Sequence, residues 1–195
     1  MTTNNSGLHE TADVLLSKYE SELRIPEETI KEAHEIIRTA EEQGLTQHRS
    51  YRAIIAGVAL LASRKMSVPR VAEDFAAITE NDGKEITKNR VSQQSRRIKR
   101  ELSIKVFPTP TENYLEYYGE ELDASDETMK QAEQMLDMAK EMGLDEKPAP
   151  SSLAAGVIDA ARRITDDDIV QKDIQQASHV TRTQFRQYCQ ELQTV

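Results

Sequence analysis

An all-α chain of two similar helical bundles is predicted by three observations. The longest nearly uncharged run, Ala53 to Ser63, is built of small and aliphatic residues. A run of the same kind returns at Ser152 to Arg163, and Gly156 lies 99 positions after Gly57. Apolar residues elsewhere recur at helical spacing among charges. Runs of eleven and twelve residues are too short to cross a bilayer, which needs roughly 20, so each run reads as a central helix inside a bundle, its Ala and Gly letting neighbouring helices approach.

The elements follow in order. Val14, Leu15, Leu16, Tyr19 and Leu23 give a first helix over His9 to Leu23 its apolar face. Pro26 opens the second at a position where its missing N–H costs nothing, with Glu27 and Glu28 suiting the positive helix N-terminus. Ile30, Ala33, Ile36, Ile37 and Ala40 keep the 3.6-residue period until Gly44, a C-terminal stop. After a loop holding Gln47, His48 and Arg49, the central helix spans about Ser50 to Lys65. Pro69 begins a shorter helix with Val71, Ala72, Phe75, Ala76 and Ile78. Asn81-Asp82-Gly83 is a turn signal. Thr87 then N-caps a helix with Val91, Ile98 and Leu102 on its apolar side.

Phe107 to Pro110, with two prolines in three residues, cannot continue that helix and serves as a linker. The pattern restarts with Tyr114, Leu115, Tyr118 and Leu122, and Ser125 caps the following helix with Asp126 and Glu127 in its first turn. An offset of 99 aligns Glu28-Thr29 with Glu127-Thr128, Gly44-Leu45 with Gly143-Leu144, and Ala56-Gly57-Val58 with Ala155-Gly156-Val157. Past the central helix the offset becomes 94, pairing Ile86-Thr87 with Val180-Thr181 and Val91 with Phe185, so the first copy carries five extra residues, most simply the Asn-Asp-Gly turn. Two copies are too few for a solenoid, and each is expected to be a globular bundle of five helices. The expected organisation is a disordered leader over 1–8, a first repeat over 9–105, a linker over 106–110 and a second repeat over 111–195.

The formal charge is −9, from 34 acidic and 25 basic residues. An acidic surface ordinarily argues against nucleic acid, because Lys and Arg supply most phosphate affinity; the other reading is adaptation to concentrated salt, which screens self-repulsion. Cys189 is the only cysteine, so neither an intramolecular disulfide nor a Cys-based zinc site arises. Met1 to Gly7 lacks the basic and apolar regions of a signal peptide, no apolar run is long enough to span a bilayer, and a cytoplasmic location is expected. His9, His34, His48 and His179 are isolated and Gly is too scattered for a phosphate loop. The expectation is a non-enzyme without cofactor, metal or small-molecule substrate.

Gln171 to Ser178 followed by Val180 to Leu192 reads as a helix-turn-helix, whose second helix would place its first residues in the major groove. Thr181 is its N-cap, Arg182, Thr183 and Arg186 lie near its leading edge, and Val180, Phe185, Tyr188 and Leu192 pack inward. Any helical pair in a bundle offers the same pattern. The basic run Lys88 to Lys105 sets Lys88, Arg90, Arg96, Arg97, Lys99, Arg100 and Lys105 against Glu101. It is either a solvated helix face paired to acids or a phosphate-facing strip. Glu112 to Glu146 holds twelve acids against Lys130 and Lys140, and faces solvent or a basic partner.

From Glu10 to Leu192 the halves resemble the two cyclin-like repeats of archaeal transcription factor B, of the transcription factor IIB family. The matching pieces are Gly44-Leu45, Val68-Pro69-Arg70, Phe107-Pro108-Thr109 leading to Glu112-Asn113-Tyr114, and Pro150 to Ala161. Gln171-Lys172-Asp173-Ile174 through Val180-Thr181 to Arg186 and Glu191-Leu192 resembles the family's closing helix-turn-helix. The resemblance implies a core domain that clamps the complex of TATA-binding protein with promoter DNA, with Thr183 and Arg186 at positions that contact bases upstream of the TATA box. Arg186 suits that role chemically, since Arg to guanine is the commonest specific contact. With the acidic balance, a haloarchaeal member is expected.

Three departures qualify the implication. Nothing before His9 resembles the family's zinc ribbon, so polymerase recruitment by the usual route is not expected, and competition with a full-length factor is. Thr183 stands where the family usually has an apolar β-branched residue, and His179 where it has a small one. Asp166-Asp167-Asp168 would repel phosphate unless turned away or screened. The DNA-contacting residues expected are Arg182, Thr183 and Arg186 with Lys88, Arg90, Arg96, Arg97 and Arg100. The alternative is a protein-interaction adaptor that kept the fold and lost DNA binding.

Overall fold

Helical periodicity and side-chain caps set the elements of a computed structural model, which describes residues 6–47, 49–81, 84–146 and 149–181. The chain divides into two units, 1–107 and 108–195. The first holds α1 (Ser6–Glu22), α2 (Glu27–Glu42), α3 (Tyr51–Lys65), α4 (Ala72–Ile78) and α5 (Lys88–Glu101). Among the described residues, the second holds α6 (Thr111–Glu121), α7 (Asp126–Glu141), α8 (Pro150–Thr165) and α9 (Gln171–Ser178). No helix among them is long and apolar enough to cross a membrane.

The fold is all-α apart from a two-residue hairpin, in which β1 (Glu80–Asn81) pairs antiparallel with β2 (Lys84–Glu85). It sits where the first repeat carries its five extra residues, since α4 and α9 still start 99 positions apart.

In the first unit, Ala53 to Ser63 is buried along its whole length within α3. Small and aliphatic side chains let one helix be enclosed on every side. Ser50 starts α3 by accepting from the Ala53 N–H, and Thr87 starts α5 by accepting from that of Arg90. α1 begins at Ser6, three residues before the expected His9, which corrects the leader over 1–8. Its apolar stripe already includes Leu8, 1% exposed, followed by Ala12, Leu15, Leu16 and Tyr19.

Two further starts differ from expectation. Pro26 occupies the N-cap of α2 instead of its first turn. α4 starts at Ala72, because the Asp74 carboxylate accepts from the Val71 N–H at 2.7 Å and leaves Pro69 and Arg70 in the connection. Arg70 is buried there and donates through Nε and Nη2 to the Leu23 carbonyl and through Nη1 to that of Pro69. One guanidinium thus ties the end of α1 to the α3–α4 connection. Tyr19 meets Phe75 edge-to-face with ring centroids 5.2 Å apart and hydrogen-bonds Thr79. Burial pushes its phenol up to about 12.

The second unit repeats this plan around α8, buried from Ser152 to Asp159. The repeat extends to backbone conformation. Left-handed φ values recur 99 positions apart at Arg24 and Asp123, Gly44 and Gly143, and Ser67 and Asp166. Gly44 and Gly143, both at φ 69°, close α2 and α7 in a conformation that costs glycine nothing. Phe75 and Ile174, equivalent on α4 and α9, are both 0% exposed.

The aspartate run before α9 splits by role. Asp166 and Asp168 are exposed, whereas Asp167 reaches back to the start of α7. Its Oδ2 accepts from Thr128 Oγ1 at 2.6 Å, Ser125 Oγ at 2.8 Å and the Ser125 N–H at 3.1 Å. The hydrogen bond from Thr128, followed by those from Ser125 and the Ile169 N–H, holds the Asp167 carboxyl down at about 2, below its ordinary 3.8. A depressed carboxyl contributes stability that is complete above its unfolded value and vanishes as pH falls through the folded one. Asp167→Asn should therefore melt below the parent chain at pH 6, by about 1 kcal/mol for a lost capping carboxylate. Thermal melts should show that gap closing between pH ~4 and ~2.

Candidate nucleic-acid interface

α5 is amphipathic by necessity. Val91, Gln94, Ser95 and Ile98 are buried on the side facing α3, which leaves the cations of the run to the other faces. Two of them, Arg90 and Arg96, fall on one exposed flank near Arg49 of the α2–α3 loop. With Thr87, Asn89, Gln93 and Gln94 they line an open groove of about 550 Å³. Every lining side chain carries a hydrogen-bond donor, three are guanidiniums, and no carboxylate is present. Such a surface binds anionic oxygens through charge-assisted hydrogen bonds.

The other expected residues separate. Lys88, at the N-terminus of α5, pairs with Glu73 at 2.7 Å. Arg100 pairs with the adjacent Glu101 at 2.6 Å, which lowers that carboxyl. Both pairs are exposed enough to exchange Glu for phosphate at small cost.

Arg97 is a correction. It turns inward, donating from Nη2 to the Leu45 carbonyl at 2.9 Å and from Nε to Gln94 at 3.1 Å. Desolvation, then the Arg49 cation, lowers its pKa. Arg97 therefore fixes the α2–α3 loop that carries Arg49 and is no part of the exposed flank of Arg49, Arg90 and Arg96. Arg49 joins the groove although the sequence marks it only as a loop cation two residues ahead of the central helix.

In the second repeat, α9 ends at His179, which adopts a left-handed φ of 53°. Val180 is buried and Thr181 exposed, matching buried Ile86 and exposed Thr87 of the first repeat. The expected base-contacting residues Arg182, Thr183 and Arg186 lie outside the described residues. No group of three His, Cys, Asp or Glu that could hold a metal occurs among the described residues.

Comparison with known proteins adds sequence-wide likeness to this geometry. Residues 9–93 match the transcription factor TFIIB repeat. The chain is 34% identical to transcription initiation factor IIB of Sulfurisphaera tokodaii over 87% of its own length and 55% of that protein. It is 32% identical to transcription initiation factor IIB of Pyrobaculum neutrophilum over 91% of this chain and 52% of that one. It is 27% identical to transcription initiation factor IIB 3 of Halobacterium salinarum over 90% and 54%. The chain thus spans about half the length of the curated relatives it matches.

Proposed function

Because the chain belongs to the transcription factor TFIIB repeat family, we propose that it acts in transcription initiation by binding promoter DNA together with TATA-binding protein. The observation that carries the reading is the groove of Arg49, Arg90 and Arg96, which gathers three cations without an acid on a chain of net charge −9. On a surface otherwise laced with carboxylates, such a patch concentrates attraction for phosphate at one place.

In this proposal the first repeat positions the chain on the DNA backbone and the second reads bases. Arg182 and Thr183 align with Lys88 and Asn89 of α5, both exposed, and Arg186 aligns with the half-buried Ser92. Asp167, committed to Ser125 and Thr128, takes one of the three acids before α9 out of competition with phosphate.

Duplex binding measured by anisotropy across a salt series, with folding checked by circular dichroism at each salt, tests this. Log affinity should fall linearly with log salt, and Arg49→Gln, Arg90→Gln and Arg96→Gln should each reduce the slope by about 1. Arg97→Gln should weaken binding only through the loop that carries Arg49, because its own guanidinium serves Leu45. Arg186→Ala should cost roughly 1–3 kcal/mol on a matched site. Absence of duplex binding by the folded chain at low salt, with and without TATA-binding protein, would overturn the proposal in favour of an adaptor.

A further inference from the structure

The second repeat carries a groove that its DNA-facing role does not use. It runs between α6 and α7 and encloses about 450 Å³, with Leu115, Met129 and Leu136 as its apolar floor. Glu112 and Glu116 stand one helical turn apart on one wall, Glu133 and Asp137 one turn apart on the other. Glu116, Glu133 and Asp137 are exposed and have no ion pair among the described residues. Glu112 is engaged by Lys140, whose ammonium reaches from α7 across to α6 at one end of the rows. A cationic side chain thus already occupies the kind of place that the remaining three carboxylates leave open.

The first repeat supplies an internal control. Positions 99 residues earlier keep the apolar floor as Leu16, Ile30 and Ile37, all buried. Their rim is Asp13, Ser17, His34 and Arg38, so one acid of the four is kept; it faces His34 at 4.0 Å, and Arg38 pairs with Glu35. The bundle therefore needs the floor and does not need the acids at 116, 133 and 137. Carboxylates scattered for solubility alone would not fill all four rim positions, in two rows above apolar side chains, on one repeat only.

We propose that the α6–α7 groove docks a Lys- and Arg-bearing peptide segment of a partner protein, which seats an apolar side chain on Leu115, Met129 and Leu136 between the carboxylate rows. Charge complementarity selects the segment and sets its approach, and the floor supplies the contact that excludes water. The inference is independent of the DNA proposal, since it uses none of the same residues.

The test uses the full chain at a salt where circular dichroism shows it folded. The probe is a short fluorescein-labelled peptide in which Lys and Arg flank two leucines. Binding should saturate, and hydrogen exchange should show protection on α6 and α7. The triple variant Glu116→Gln/Glu133→Gln/Asp137→Asn should weaken it about tenfold or more. Glu141→Gln/Asp145→Asn/Glu146→Gln removes the same charge away from the groove and should change it by less than about threefold. A peptide with both leucines replaced by serine should lose most of the affinity. Equal weakening by the two triple variants, full affinity of the serine peptide, or protection elsewhere would each overturn the docking site. Self-association of the chain that competes with the peptide would assign the groove to a second copy, and would equally overturn it.

Discussion

Gly57→Ala is expected to lower the stability of the first repeat by about 2 kcal/mol, and Gly57→Leu to leave that repeat unfolded at room temperature. A Cβ at this position would stand 2.6 Å from Gln94 Cβ, 2.8 Å from the Ser95 nitrogen and 3.0 Å from the Gln94 carbonyl carbon. Two of those atoms are α5 backbone, which has no rotamer to move to, so the whole helix must shift away from α3. Alanine in place of glycine favours an isolated helix by about 1 kcal/mol. The clash must exceed that gain for the sign predicted here, and contacts under 3 Å with main-chain atoms suffice. Gly119 shows the other outcome. A Cβ there meets only the thioether end of Met129, a flexible side chain. Gly119→Ala should therefore fall within about 0.5 kcal/mol of the parent. Urea titrations of both variants, followed by circular dichroism at one salt concentration, check the contrast. Under the proposed function, displacing α5 moves Arg90 and Arg96 away from Arg49, so Gly57→Ala should also weaken duplex binding where it still folds.

That α3–α5 contact shows where sequence reasoning succeeds. The run Ala53 to Ser63 announces a buried helix because no alternative places so few polar groups in water, and the same logic finds α8. Thr87 and Ser125 are found as caps because a hydroxyl before a helix acts locally. The direction of a long cation is not local. Arg97 and Arg96 are neighbours on one helix, yet one reaches a carbonyl 52 positions away and the other faces outward. Composition counted both as basic strip, and only the position of Leu45 separates them. Arg49 entered the groove for the same reason, since the loop that carries it is held by Arg97. Asp167 reads in the sequence as one of three repelling acids, and only its contacts with Ser125 and Thr128 at the start of α7 set it apart.

Asp159 is the harder case, and Asp159→Ala is expected to cost the second repeat about 2–4 kcal/mol. The residue sits inside the uncharged-looking run of α8 and is 0% exposed. Its Oδ1 accepts from Arg162 at 2.7 Å, and its Oδ2 pairs with Arg163. Removing the carboxylate leaves Arg162, with only 18% of its side chain exposed, holding a charge that water reaches poorly. Arg163, at 42%, can turn to solvent, which keeps the expected loss below that of a fully enclosed pair. The first repeat solves the same position differently: Leu60 stands 99 residues earlier, also 0% exposed, within an α3 that lacks the ion pair. A buried ion pair seldom adds stability over a well-packed hydrocarbon. Asp159→Leu combined with Arg162→Met should thus recover most of what Asp159→Ala loses, and hydrogen exchange on α8 would localise both effects to the second repeat. Loss by Asp159→Ala of less than about 0.5 kcal/mol would mean that both guanidiniums escape to water without cost. Recovery by the double variant would instead assign the aspartate to orientation of Arg162 and Arg163 at the end of α8, a task that Leu60 has no means to perform in the first repeat.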